Sequence, residues 1–209
     1  MGALVDTQIR QLGSTAYADT YQHMQTFTEQ RDSNSSDEIW ILQHEPVYTL
    51  GRNGKPHHIL RKNNIPVIKI DRGGQVTYHG PGQLIIYLLL DIKRRGVGVR
   101  KLVDIMEQAV IDYLASYQID ATRKKSAPGV YVKEKKIAAL GLRVTQGCTY
   151  HGLSFNIDMD LEPFNDINPC GYENLEVIQC SDFGIKESVD EIGLQIVKSI
   201  ETMLLTEAG

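Results

Sequence analysis

Residues 72–92 read RGGQVTYHGPGQLIIYLLLDI, and the fold turns on them. Glycines bracket a run rich in β-branched and aromatic residues, which predicts two strands paired with each other. The apolar run from Leu84 to Leu90 is far short of the 18 or more residues a membrane-spanning helix needs. Towards the N-terminus, residues 66–70 read as another strand. Residues 45–59 carry Pro46, Gly51, Gly54 and Pro56 and read as an extended surface loop. Residues 39–43 form a short strand after a polar loop, 32–38. Before that, Ser14 caps a helix with Tyr17, Tyr21, Met24 and Phe27 on one face.

Towards the C-terminus, Val99, Leu102, Val103, Met106, Val110, Tyr113, Leu114 and Tyr117 recur at helical spacing, so residues 99–118 form an amphipathic helix. Residues 129–144 read as a hairpin around Lys133 to Lys135, and residues 148–157 as one more strand. Ser188 with Glu191 makes a capping box that opens a final helix through Val189, Ile192, Ile196, Ile200 and Met203. This order predicts an α+β fold, a mixed sheet with flanking helices. With no internal linker, residues 1–209 are expected to be a single domain.

Composition narrows the function classes. The chain has 209 residues, 42% hydrophobic and 23% charged, with a formal net charge of -4. Such a balance suits a soluble globular protein and argues against general nucleic-acid binding, which favours a basic excess. The start, MGALVDTQIR, lacks a basic segment followed by an apolar one, so no secretory signal is expected. Three cysteines, Cys148, Cys170 and Cys180, match neither a disulfide framework nor a zinc site. A reducing cytoplasm fits that usage.

Three segments hold more glycine and polar residues than packing requires. In residues 72–80, Gly73 and Gly74 allow positive φ and close approach of a ligand, although a plain tight turn is the more ordinary account of them. The spacing matches no phosphate-binding loop. In KIAALG, Lys136 opens a strand of small residues; it is either a snorkelling surface lysine or a desolvated one with a lowered pKa. In PFNDINPCG, Cys170 sits on a turn between proline and glycine, a setting that suits a displayed nucleophile better than a packing thiol. Cys148 and Cys180 read as structural. The tetrapeptide TYHG occurs at 77–80 and again at 149–152. That is either coincidence or two strand ends lining one cavity.

Taken in order, RGGQVTYHGPGQL, KIAALGLRV, TYHGLSFNI and NPCG resemble the lipoyl(octanoyl) transferase family. The resemblance implies the fold of biotin protein ligase and lipoate-protein ligase catalytic domains. It implies a catalytic pair, Cys170 and Lys136. It also implies an acyl site lined by Arg72, Gly73, Gly74, Gln75, Val76, Thr77, Tyr78 and His79, by Ala139, Leu140 and Gly141, and by Gly152, Leu153 and Ser154. The implied reaction moves octanoate from acyl carrier protein to a lysine of a lipoyl domain, with no cofactor or metal. The acceptors would be the lipoyl domains of 2-oxoacid dehydrogenase complexes and the glycine cleavage H protein, without nucleic acid or membrane.

Cys170 would attack the carrier thioester, and Lys136 would either stabilise the thiolate or take its proton. Exchange of thioester for thioester and then for amide runs without ATP. Lys93, Arg94, Arg95, Arg100 and Lys101 are a candidate patch for steering an acidic carrier, or simply a solvated helix start. Three rivals remain at this stage: an ATP-dependent ligase of the same fold, a hydrolase with His79 or His151 as base, and an acyl-binding module.

Overall fold

The computed structural model describes residues 7–125, 127–173 and 175–207, and of Cys170 the backbone alone. In chain order the elements are β1 (Thr7–Thr15), α1 (Tyr17–Gln30), β2 (Asp37–His44), β3 (Val47–Leu50), β4 (Val67–Lys69), β5 (Val76–His79) and β6 (Gln83–Leu89). Then come α2 (Val99–Ser116), β7 (Thr122–Arg123), β8 (Gly129–Val132), β9 (Lys135–Thr145), β10 (Cys148–Asn156) and α3 (Val189–Glu207). Short 3-10 turns at Glu162–Asp166, Pro169–Gly171 and Cys180–Phe183 join the last two.

Seven strands form one mixed sheet in the order β1-β2-β6-β10-β9-β8-β7; three form a small second sheet, β4-β3-β5. β6 is central and wholly buried because both of its faces are covered. Leu84, Ile86, Leu88 and Leu90 join the core beneath α2 and α3. The alternate residues Ile85, Tyr87 and Leu89 pack on the opposite face with Met24 of α1. This is the period of two that a strand imposes. The mixed sheet with flanking helices is as expected.

Three local expectations fail and one strand went unread. The two strands of residues 72–92 exist but do not pair: β5 bonds to β3, and β6 to β2 and β10. The supposed surface loop contains β3, whose four residues are all buried. Ser14 caps no helix, since it lies in β1 opposite Gln43, and α1 starts three residues later. β1 itself went unread because it is an exposed edge strand with no apolar alternation.

The basic patch is corrected in part. Asp37, fully buried at the start of β2, binds Arg31 and Arg95 at 2.5 Å and Arg94 at 2.9 Å. Arg95 is thereby turned inward, whereas Arg94, although paired, stays exposed with Lys93, Arg100 and Lys101. The capping box at Ser188 and Glu191 forms as expected, with the Ser188 N–H donating to the Glu191 carboxylate at 2.8 Å. The β8–β9 hairpin turns through Lys133 and Glu134, both at positive φ (49° and 70°). Among the described residues no helix is long and apolar enough to cross a membrane.

Candidate active site

A cleft opens where the small sheet meets the large one. Arg72, Gly74, Gln75, Val76, Thr77 and His79 form one wall; Ala139, Leu140, Gly141, Gly152, Leu153 and Ser154 form the other. The register explains the second wall, because Ala139 pairs with Ser154 and Gly141 with Gly152 across β9 and β10. Gly141 and Gly152 contribute main chain alone, and Tyr17, Ile85, Tyr87 and His151 complete the lining. A Cβ at Gly152 would lie 2.1 Å from the Ile86 carbonyl oxygen, and one at Gly141 would lie 3.0 Å from Arg72 Cδ. The glycine loop is stitched to β9 by the Gly73 N–H donating to the Leu142 carbonyl at 3.2 Å.

Twelve of the fourteen residues expected at the acyl site meet here. Gly73 and Tyr78 do not line the cleft. Tyr78 alternates to the far side of β5, where its ring packs edge-on against Phe164 and tilted against Tyr48.

Behind the cleft lies a chain of polar side chains whose direction is fixed by Gln83 Oε1, which can only accept and so takes the hydrogen on His79 Nδ1. His79 Nε2 is then the acceptor nitrogen and receives the Thr49 hydroxyl hydrogen at 3.3 Å, while Arg72 Nη2 donates to the same hydroxyl at 2.8 Å. His79 Nδ1 then donates to Gln83 Oε1 at 2.7 Å, and Gln83 Nε2 donates to Asn156 Oδ1 at 2.9 Å. Burial lowers the pKa of His79 to about 3 and that of His44 to about 4, so both rings are neutral near pH 7. Both ring nitrogens of His79 are engaged, which leaves it a wall residue rather than a base.

The two TYHG copies do reach one cavity, since His79 and His151 both line the cleft. His151 sits at positive φ (62°), buried, with its pKa lowered by burial. Its Nε2 donates to Asp71 at 3.2 Å, and Tyr150 donates to the same carboxylate. Burial raises the Asp71 carboxyl, but the bonds from His151, Tyr150 and Tyr21 outweigh it and hold the group well below the usual carboxylate range.

Lys136 is 3% exposed, so its side chain is held inside the molecule and does not snorkel to the surface. Its backbone pairs with the segment after the Cys170 turn: the Lys136 N–H donates to Glu176 O at 2.9 Å, and the Ile178 N–H to Lys136 O at 3.0 Å. By contrast Lys135, the first residue of β9, is exposed and pairs with Glu176. The Lys136 side chain helps line a small cavity together with Pro169, the residue before Cys170. Thr77, Ala139 and Ser154 line both this cavity and the cleft, so the two abut.

The Cys170 turn is pinned nearby. The Asn168 N–H donates to His58 O at 2.7 Å, and a Cβ at Gly171 (φ 78°) would lie 3.0 Å from Gln75 Cγ. The Cys170 side chain lies outside the described residues. Cys148 and Cys180 are buried free thiols whose pKa burial pushes up, as packing cysteines should be. Sequence reasoning gave no site role to Tyr17, His44, Thr49, Asp71 and Tyr87, which are scattered singly along the chain outside the glycine-rich segments.

Residues 16–201 match the family model described as Lipoyl protein ligase A/B catalytic domain. This chain belongs to that family. An octanoyltransferase of Dechloromonas aromatica is 60% identical over 201 residues, covering 96% of this chain and 98% of that protein. An octanoyltransferase of Thiobacillus denitrificans is 58% identical over 183 residues, covering 88% and 84%. The lipoyl(octanoyl) transferase family expected from the motifs is the one these relatives represent.

Among solved structures, a bi-partite lipoate protein ligase of Thermoplasma acidophilum superposes with a TM-score of 0.74 at 15% identity, covering 97% of this chain and 85% of its own. Biotin protein ligase from Aquifex aeolicus gives 0.58 at 13%, covering 98% and 72%. At such identities these two speak to the fold of this family member and to nothing finer.

Proposed function

We propose that this chain is an acyltransferase that moves an octanoyl group from acyl carrier protein to a lysine of lipoyl domains, the first step of endogenous protein lipoylation. The observation that carries the reading is the abutment of two cavities. One holds a buried lysine beside the Cys170 turn, and the other is a cleft between the glycine loop and the paired strands β9 and β10. The octanoyltransferase relatives at 58% and 60% identity support the same acyl group.

In this reading the Cys170 thiolate attacks the carbonyl of the carrier thioester. A C–S bond forms, the carrier's C–S bond breaks, and the carrier leaves as a thiol after taking a proton. The target lysine's neutral amine then attacks the enzyme thioester; an amide forms and Cys170 regains its proton. Lys136 supplies the positive charge or the proton acceptor that an ordinary cysteine, only a few per cent ionised at pH 7, requires. The walls formed by Arg72, Gly74, Gln75, Val76, Thr77 and His79, and by residues 139–141 and 152–154, hold the acyl chain. The chain acts as a single catalytic domain in the cytoplasm. Acceptors are lipoyl domains of 2-oxoacid dehydrogenase complexes and the glycine cleavage H protein.

The deciding experiment is intact-mass spectrometry of the protein mixed with octanoyl carrier and no ATP. We expect a gain of one octanoyl group on Cys170, chased off by a lipoyl domain and absent in Cys170→Ser. A protein that stays unmodified, and that loads a lipoyl domain from free octanoate with ATP, would be a ligase instead. Lys136→Ala should slow single-turnover acylation by about 100-fold or more, the usual scale of a proton-transfer group.

A further inference from the structure

Helix α2 buries an apolar face made of Leu102, Ile105, Met106, Ala109, Val110 and Leu114, yet Glu107 lies among them at 4% exposure. A buried carboxylate in an apolar face needs a partner, and this one has an unusual pair. Glu107 Oε1 accepts the Gly129 N–H at 2.8 Å. The carbonyl of the same peptide group, Pro128 O, accepts Lys136 Nζ at 3.2 Å. One peptide plane therefore stands between a buried carboxylate and a buried amine, its N–H towards the first and its C=O towards the second.

Gly129 makes this arrangement possible. Its φ of 143° suits glycine alone, and a Cβ there would meet Ala138 O at 2.7 Å and Lys136 Cε at 3.0 Å. The peptide dipole presents its negative end to the lysine, and the carboxylate behind it strengthens that polarisation. Among the described residues, charges stand close to both ends of this bridge. Arg123 Nε lies 3.6 Å from Glu107 Oε2, and Asp104 acts on Glu107 from the same helix. Lys136 Nζ stands 5.2 Å from the centre of the Tyr131 ring, and Lys124 Nζ lies 4.3 Å from that centre. Burial raises the Glu107 carboxyl, while the Gly129 N–H and the charges of Arg123 and Lys136 pull it back.

We propose that Glu107 is a positioning residue: through the Pro128–Gly129 peptide it fixes the direction of the Lys136 amine and favours its protonated form. This rests on the reading that Lys136 assists Cys170. A nearby negative charge raises the pKa of every group around it, so removing it lowers the titrations of the lysine and of any thiol coupled to it. The shift has the same direction whether Lys136 works as counter-ion or as base.

The test is the pH dependence of single-turnover Cys170 acylation by octanoyl carrier, with melting temperature recorded for each variant. Glu107→Gln keeps an oxygen for the Gly129 N–H but loses the charge, and its profile should move to lower pH by about half a unit or more, with KM for carrier unchanged. Arg123→Gln removes the opposing cation from a side chain 38% exposed, and its profile should move to higher pH.

Profiles that coincide with wild type, or that move the same way in both variants, would overturn the proposal, since a role in packing alone changes stability without opposite pH shifts. Should Glu107→Gln fail to fold, Arg123→Gln decides: an upward move supports the link and no move overturns it. Lys136→Ala run in parallel separates the two layers. If it acylates at the wild-type rate, the reading of Lys136 in the chemistry falls and this inference falls with it. If it is slow while both other profiles stand still, only the inference falls.

Discussion

His44 and His79 are neutral because water is excluded from them, and that neutrality is a stability statement. Each folded-state value, about 4 and about 3, lies below the ordinary 6.5. Below pH 6.5 the unfolded chain therefore takes up protons that the folded chain refuses, and stability falls until the folded values are passed. We expect denaturant midpoints to be flat from pH 8 to 7 and to decline steeply from 6.5 towards 4. The lost stability should be roughly 1–3 kcal/mol per ring. His79→Gln should make the decline shallower; an unchanged slope would show that His79 carries no part of it.

Glu107 belongs at this scale too. Its position, four residues after Val103 and three before Val110, put a charge on the apolar face of a helix that the spacing had already defined. The sequence held the signal, but what the charge faces depends on Gly129 and Lys136, more than twenty residues away.

At the scale of elements, what could be read from the sequence followed how much local pattern each element carries. α2 and α3, with their helical spacing, and the β8–β9 hairpin, with its charged turn, were legible within a few residues. β1 and β3 were not. β1 is exposed on an edge and shows no alternation, whereas β3 is only four residues long and lies between prolines and glycines that read as a loop. The mistaken pairing of β5 with β6 has a physical cause as well: a short glycine turn normally closes a hairpin, but here it carries the chain from one sheet to the other.

Arg94 and Arg95 belong to this scale because they join the segment after β6 to the start of β2. Replacing both with Glu should cost about 3–5 kcal/mol by leaving Asp37 short of cations in a dry site. Thermal unfolding checks this; a stable double variant with only a raised KM for carrier would restore the docking patch.

Across the whole molecule, the candidate site is a junction. The small sheet brings residues 72–79, the large sheet brings β9 and β10, and the turn carrying Cys170 closes the gap between them. Four short motifs far apart in the chain were legible as a set because each supplies one side of the same junction. Their mutual distances could not be read, since those depend on how two sheets pack. An acyl chain in the cleft would touch both sheets at once, adding at most about 0.8 kcal/mol for each methylene buried. The octanoyl-enzyme should accordingly melt at a higher temperature than the free enzyme, by differential scanning calorimetry, and a two-carbon acyl group should give a much smaller gain. Equal melting temperatures would place the chain outside the cleft.

The two glycines in the cleft lining, Gly141 and Gly152, bear on how such a protein can change its diet. A surface made of main chain offers no side chain to trim or enlarge, and adding one at residue 152 would push β10 off β6. Relatives that accept longer or shorter acyl groups should therefore have diverged at Ala139, Leu140 and Ser154, whose side chains can vary while the strands stay in place.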